Sequence, residues 1–304
     1  MSTLRVIVPA TSANLGPGFD ALGLALSIYN EVEASLSHHP HLTLHGEGEG
    51  LLPEGEENLV YRAARAVADA VGAEVAFSFR CWNRIPLGRG LGSSAAAIVG
   101  GMVAANELLG RPLDRSHLAS LAARLEGHPD NVVPALVGGV TAAVMEDGTV
   151  HWVRLPVRDL PTAVVAIPEF EVPTALARGR LPSRVPREDA AFNVGRTALL
   201  IGALATSRWD LLELAMEDRL HQPYRKPLVP GFEDVCTAAR RAGALGVALS
   251  GSGPSLLAFA PSWQAVRVAE AMEAAFIGHG VRARAVVTRV DLEGTRVQAH
   301  VLRR

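Results

Sequence analysis

The sequence predicts an α+β fold in two domains, on three observations. Its 304 residues are 49% hydrophobic and 20% charged, enough apolar material for a sizeable core, over a length that suits one large domain or two ordinary ones. Strand-like and helix-like stretches are mixed without strict β–α–β alternation, which disfavours a doubly wound parallel sheet. The segment Leu155-Pro156-Val157-Arg158-Asp159-Leu160-Pro161 carries two prolines in seven residues. That is the best linker signal in the chain, and it divides a first domain, 1–156, from a second, 157–304.

In chain order, Leu4–Val8, Glu31–Leu36 and Val75–Phe79 are β-branched runs that read as strands. Asn58–Val71 reads as a helix, with Leu59, Ala63, Val67, Ala70 and Val71 on one face and Gly72 to close it. A second helix covers about Ser93–Leu109, ended by Gly110 and Pro112, and a third about Ser116–Glu126. Val137–Met145 reads as a strand and Asp147-Gly148 as a hairpin turn. Beyond the linker, Ala163–Ile167 is a strand, and Asp189–Ser207, Asp210–Leu220 and Phe232–Ala242 are helices. Gly246–Leu249 and Ser255–Phe259 are short strands around a glycine turn. A helix over Trp263–Ile277 and a strand over Arg282–Val290 follow. No fixed-period repeat is present.

Several function classes fall away early. The formal net charge is −2, so no basic surface favours nucleic acid. No apolar run is long enough to span a bilayer, and the first residues lack a signal-peptide pattern, so a cytoplasmic protein is expected. Cys81 and Cys236 are the only cysteines, which excludes a cysteine-built zinc site and reads as two small core residues. Lys226 is the only lysine, which excludes a Walker-type phosphate loop. His38, His39, His41 and His45 lack a carboxylate to complete a compact metal-ligand set.

The clearest chemical signal is Pro86-Leu87-Gly88-Arg89-Gly90-Leu91-Gly92-Ser93-Ser94-Ala95-Ala96-Ala97. Glycines at alternate positions permit tight turns and close approach of a ligand. The serines then open a helix, whose unpaired N–H groups and dipole suit phosphate. A dinucleotide fingerprint does not fit, because the spacing is G-x-G-x-G and no acidic residue closes a following strand.

This loop resembles the phosphate loop of the GHMP kinases, the family that includes galactokinase and the homoserine, mevalonate and phosphomevalonate kinases. Further stretches agree in order: Pro9-Ala10-Thr11-Ser12-Ala13-Asn14-Leu15-Gly16-Pro17-Gly18-Phe19-Asp20, Glu126-Gly127-His128-Pro129-Asp130-Asn131, Thr174–Pro182, His221-Gln222-Pro223-Tyr224-Arg225 and Leu249-Ser250-Gly251-Ser252-Gly253-Pro254-Ser255. They are most similar to the branch that phosphorylates homoserine. The resemblance covers nearly the whole chain. It implies a ribosomal-protein-S5-like N-terminal domain, a ferredoxin-like C-terminal domain, an active site between them, ATP and Mg²⁺ as cofactors, L-homoserine as substrate and a homodimer.

It also implies site residues. ATP would contact Asn58, Pro86, Gly88, Arg89, Gly90, Leu91, Gly92, Ser93, Ser94, Ala95 and Ala96. Asn58 has a simpler reading as a helix cap, and both can hold. Glu126 would hold Mg²⁺, with Ser94 or Ser93. The amino acid would be bound by Asn14, Asp20, His128, Asn131, Thr174, Arg178, Arg225, Gly251, Ser252 and Gly253. The ammonium suits Asp20 and the carboxylate suits the arginines. Glu126, Ser94, Asn131 and Arg178 would carry catalysis. His221 reads as structural. Where mevalonate- and galactokinase-type members place an Asp base, this chain has Asn131, which cannot take a proton. Catalysis by positioning and charge stabilisation is therefore expected, with the hydroxyl proton passing to phosphate or water. The alternatives are another small-molecule kinase of the family or a non-catalytic ligand sensor on the same fold.

Overall fold

The computed structural model describes residues 3–157 and 159–300, with side chains to residue 298. Its elements run β1 (Thr3–Ala13), β2 (Leu22–Ser37), β3 (His41–Gly46), α1 (Leu59–Ala70), β4 (Ala76–Asn83), α2 (Ser93–Leu108), α3 (Arg115–Glu126), α4 (Pro129–Val137), β5 (Val140–Glu146) and β6 (Thr149–Arg154). After the linker come β7 (Thr162–Pro168), α5 (Thr174–Gly179), α6 (Arg187–Thr206), α7 (Leu212–Ala215), α8 (Gln222–Arg225), α9 (Phe232–Arg241), β8 (Gly246–Leu249), β9 (Leu256–Ala260), α10 (Ala265–Gly278), β10 (Ala283–Thr288) and β11 (Arg296–His300).

Two sheets organise these elements. The first has the order β11-β1-β2-β4-β3, with β5 pairing β2 and β6. Its inner face carries Val6, Val8, Val32, Phe77 and Phe79, all buried against α1 and α2. Helix α2 is apolar all round, as a helix enclosed on every side must be. Gly101 lets it approach α1, since a Cβ there would overlap the Val60 carbonyl. The second sheet, β10-β7-β9-β8, is antiparallel and packs on α9 and α10. Numbered within its own domain the order is 4-1-3-2, the ferredoxin-like arrangement the resemblance implied.

The structure departs from expectation where local pattern was ambiguous. Strand β1 runs on to Ala13, with a register shift between Pro9 and Ala10 that accommodates the proline's missing donor. Strand β2 begins at Leu22 rather than near Glu31, because the buried run Leu22–Leu26 has no alternation to mark it as strand. Helix α4 occupies Pro129–Val137, so the strand expected from Val137 starts at Val140. Pro129 sits in its first turn, where the absent N–H costs nothing. The helix expected over Asp210–Leu220 is a short turn, Trp209–Leu211, followed by α7. Asp218 stops it by accepting from the backbone N–H groups of Leu220, His221 and Gln222.

The sheets change over in the proline-rich segment after β6. The chain's end, however, crosses back: β11 pairs with β1 in the first sheet, so the span 157–304 does not stay within one sheet. Cys81 and Cys236 are free and buried, and burial pushes both thiols up to about 12.

Candidate active site

The glycine loop joins β4 to α2 and is shaped by left-handed backbone. Gly88, Gly90 and Gly92 have φ of 62°, 70° and 68°. A Cβ at Gly90 would overlap the Ser250 carbonyl, and one at Gly92 would overlap Thr11 Oγ1. The loop is therefore tied to strand β1 and to the turn after β8. The Thr11 N–H donates to the Leu91 carbonyl at 3.0 Å, and Ser250 Oγ donates to the Gly90 carbonyl at 2.7 Å. Ser93 and Ser94 open the first turn of α2, where backbone N–H groups have no intrahelical partner. Arg89 is held by backbone carbonyls. Its guanidinium donates to the carbonyls of Leu87, Pro168 and Glu169 at 2.6, 2.9 and 2.6 Å. It thereby clamps the loop to the end of β7.

Facing the helix start is the end of α3. Glu126 is its last residue, and Gly127 turns the chain in left-handed conformation. Ser94 Oγ donates to Glu126 Oε2 at 2.7 Å. Burial raises the Glu126 pKa, against the Ser94 bond and the His128 charge, which favour its ionised form. His128 Nδ1 meets Asp130 Oδ1 directly. Burial opposes its protonated form, but the Asp130 bond and the Asp130 and Glu126 charges prevail, and its pKa is raised. Asn131 Oδ1 accepts from Thr11 Oγ1 at 2.8 Å, which fixes its amide orientation.

The third wall is the turn between β1 and β2. Asn14 and Asp20 both have positive φ, 71° and 55°, a conformation these two residue types tolerate. Asn14 Nδ2 donates to the Gly251 carbonyl, and its Oδ1 accepts from the Asp20 N–H. Arg178, in α5, grips Asp20 with two bonds of 2.7 and 3.0 Å, and that pairing raises its pKa. Arg225, in α8, is 2% exposed and donates to the Gly251 carbonyl. Its pKa is lowered by burial and by the Arg178 charge. Beneath them His221 bonds the Gly16 carbonyl through Nε2, stacks on Phe19 and meets Arg225 through Nδ1.

These walls enclose a cleft of about 290 Å³. It is lined by Asn14, Asp20, Pro86, Gly88, Arg89, Gly90, Leu91, Gly92, Ser93, Ser94, Glu126, His128, Asn131, Thr174, Arg178, Arg225, Gly251 and Ser252, all of them singled out in the sequence. Four other residues singled out in the sequence lie outside this lining. Asn58 caps α1, with Oδ1 on the Val60 N–H and Nδ2 on the Pro53 carbonyl. Ala95 and Ala96 are buried in the core side of α2. Gly253 supports the turn, beside the cis peptide to Pro254. Sequence reasoning missed Asp130, Ala13 and Leu125, which also line the cleft, and the buried Ser12–Ser250 hydroxyl pair behind the loop. Only Asp130 carried a signal, as an acidic residue two positions from the motif histidine. Among the described residues no group of three His, Cys, Asp or Glu side chains could hold a metal.

Comparison with known proteins bears on this cleft. The family model for the GHMP kinase N-terminal domain matches residues 58–139, and that for the C-terminal domain matches residues 200–278. A homoserine kinase from Moorella thermoacetica is 51% identical over 278 residues, covering 91% of this chain and 94% of that protein. The chain belongs to the GHMP kinase family. A homoserine kinase from Carboxydothermus hydrogenoformans is 48% identical over 95% of each chain. The crystal structure of homoserine kinase from Cytophaga hutchinsonii superposes with a TM-score of 0.91, at 34% identity over 97% of both chains.

For a GHMP kinase the geometry has clear chemical capacity. A helix start can take phosphate, a carboxylate and a hydroxyl stand beside it, and a set of side-chain charges lies across the cleft. Carboxylate side chains within the cleft are engaged already: Asp130 by His128, Asp20 by Arg178 and Glu126 by Ser94.

Proposed function

We propose that this chain is a homoserine kinase. It transfers the γ-phosphoryl group of ATP to the side-chain hydroxyl of L-homoserine, giving ADP and O-phospho-L-homoserine, a step of threonine biosynthesis. The observation that carries the reading is the juxtaposition, in one cleft, of the α2 helix start with Asp20, Arg178 and Arg225, in a chain whose relatives bear that name over nearly its full length.

In this reading the backbone N–H groups of the Gly88–Ser94 loop hold the phosphates. Glu126 and Ser94 fit a magnesium ion: one carboxylate and one hydroxyl, 2.7 Å apart, leave the remaining positions to phosphate oxygens and water. The Ser94–Glu126 bond favours Ser94 over Ser93 as partner. The metal would neutralise charge on the transferring phosphate. Asp20 and the Asn14 amide oxygen receive the ammonium, and Arg178 and Arg225 the carboxylate. Thr174, Gly251 and Ser252 border the substrate. Asn131 and His128 orient the acceptor hydroxyl without removing its proton. Asn131 is locked by Thr11, and Asp130 is committed to His128, so no free carboxylate base stands there. A loose transition state makes this sufficient, because the nucleophile needs little activation.

A homodimer and a cytoplasmic location belong to the same reading; no helix among the described residues is long and apolar enough to cross a membrane. An ADP-release assay with MgATP against L-homoserine, L-threonine, L-serine and mevalonate tests it. Turnover well above the others is expected on L-homoserine. Activity confined to mevalonate or another alcohol would keep the phosphate loop but remove the amino-acid roles.

A further inference from the structure

The glycine loop is joined by the Arg89 side chain to the segment that leads into α5. Between the end of β7 and the start of α5 the chain forms a strap, residues 169–173. Arg89, in the middle of the loop, lies across it. Each of its three guanidinium nitrogens donates to a backbone carbonyl, Nε to Pro168, Nη1 to Leu87 and Nη2 to Glu169. Nη1 also meets the Glu171 carboxylate at 3.4 Å. A backbone bond runs alongside, from the Val172 N–H to the Gly88 carbonyl, and it is long at 3.2 Å. Hydrogen bonds from a charged donor are about twice as strong as neutral ones, so the guanidinium is the firmer tie.

Helix α5 needs such a tie. It has six residues, too few to be stable alone, and Ala177 is the one it buries. Residues 182–188, which follow it, are exposed. Its side chains reach the body of the protein through Thr174, 3.4 Å from Ser252, and through Arg178 on Asp20. Helix α5 is thus lightly packed where the amino acid would meet it, and anchored through the strap to the loop that would meet nucleotide. We propose that Arg89 is a positioning residue that couples the two sites: nucleotide on the glycine loop orders the strap and α5 through the Arg89 fork, without a phosphate contact from the guanidinium. A second ligand that finds α5 already ordered meets less of that entropic cost, so the two bind cooperatively. Lysine is no substitute, because a point charge lacks the planar fork that reaches carbonyls on both sides of the seam. The proposal rests on the homoserine reading given above for the identity of its second ligand.

Calorimetry with the non-hydrolysable MgAMP-PNP and L-homoserine reads the coupling, and hydrogen exchange reads its route. In wild-type protein each ligand should tighten the other by about tenfold, inside the usual range for coupled sites. MgAMP-PNP alone should slow amide exchange over residues 170–177. In Arg89→Gln and in Arg89→Lys the tightening should fall to about twofold or less, and the nucleotide-induced protection should vanish. The tightening is a ratio of affinities with and without the other ligand, so a variant that merely binds one ligand more weakly leaves it unchanged. If Arg89→Lys keeps the tightening that Arg89→Gln loses, the charge and not the fork is at work, Arg89 is a phosphate ligand, and the proposal falls. It falls as well if both variants keep the wild-type tightening. Wild-type protein whose 170–177 amides exchange equally fast with and without MgAMP-PNP also overturns it, and that measurement stands even if the variants do not fold. Wild-type protein that shows the protection but neither binds nor turns over homoserine would overturn the functional reading and leave the tie from loop to α5 supported.

Discussion

At the residue scale the proposed reading turns on two side chains, Glu126 and Asn131. Glu126 is held in a position where burial raises its pKa, so the folded state binds its proton more tightly than the unfolded chain does. Stability therefore falls as pH rises through the ordinary carboxylate value of about 4.3, and the penalty is complete once the pH passes the raised folded-state value. Glu126→Gln should raise the ligand-free melting midpoint at pH 7 and leave it unchanged well below pH 4. The same variant should lower kcat by roughly 100-fold or more, the counterpart of a few kcal/mol of charge stabilisation. A variant that melts lower at pH 7, or keeps its turnover, contradicts this assignment. Asn131→Asp tests the missing base. The Thr11 bond would survive, but the new carboxylate would neighbour buried Asp130, and like charges so placed resist ionisation. Turnover should not rise by as much as tenfold, and thermal stability should fall. A rise of several orders of magnitude would show that a base is what the reaction lacks. Most of these residues were legible because they sit inside short motifs. The Asp20–Arg178 pairing was not, because the two lie 158 positions apart and only folding joins them.

Among the elements, the glycine loop and helix α2 were legible from local rules alone: alternate glycines, two serines, then small residues with no breaker. What those rules do not show is which glycine is constrained by its surroundings as well as its backbone. Gly92 and Gly110 share a left-handed φ, 68° and 83°, but a Cβ at Gly92 would overlap Thr11 Oγ1 whereas Gly110 faces open space. Gly110→Ala should cost only the backbone term, about 1–2 kcal/mol. Gly92→Ala should cost more than that in chemical denaturation and should also weaken MgATP binding, because displacing Thr11 shifts both the loop and Asn131. Equal costs for the two substitutions would mean that the contact with Thr11 is slack. Helix α4 and the start of β2 were illegible for a different reason. Prolines at 129 and 134 disguise the helix, and Leu22–Leu26 is apolar on both faces, so neither period is visible.

At the scale of the whole molecule, the chain's last strand returns to the first sheet and closes the structure over residues nearly three hundred positions apart. The sequence offered no hint of it, because a short edge strand of mixed polarity resembles a surface loop. Asp291 organises the return. It is buried at 4% exposure and accepts from Tyr29 Oη at 2.7 Å and from the N–H groups of Glu293 and Gly294 at 2.9 and 2.6 Å. Arg296, at the start of β11, pairs with the same carboxylate. The Asp291 backbone N–H meanwhile donates to the Ala25 carbonyl of β2, and the Asp291 carbonyl accepts from the N–H of Gly139 just before β5. Asp291→Ala would leave two backbone donors, a phenol and a guanidinium without their acceptor. Such groups cost about 1–3 kcal/mol each when buried and unmet, and water will recover part of that at the rim. A net loss of roughly 2–5 kcal/mol is expected, read as a melting midpoint lowered by about 5–10 °C. None of these groups lines the cleft, so the KM for homoserine and for ATP should stay within about twofold of wild type at a temperature where the variant is folded. A raised homoserine KM with an unchanged midpoint would mean that β11 governs the cleft itself and not the stability of the sheet behind it.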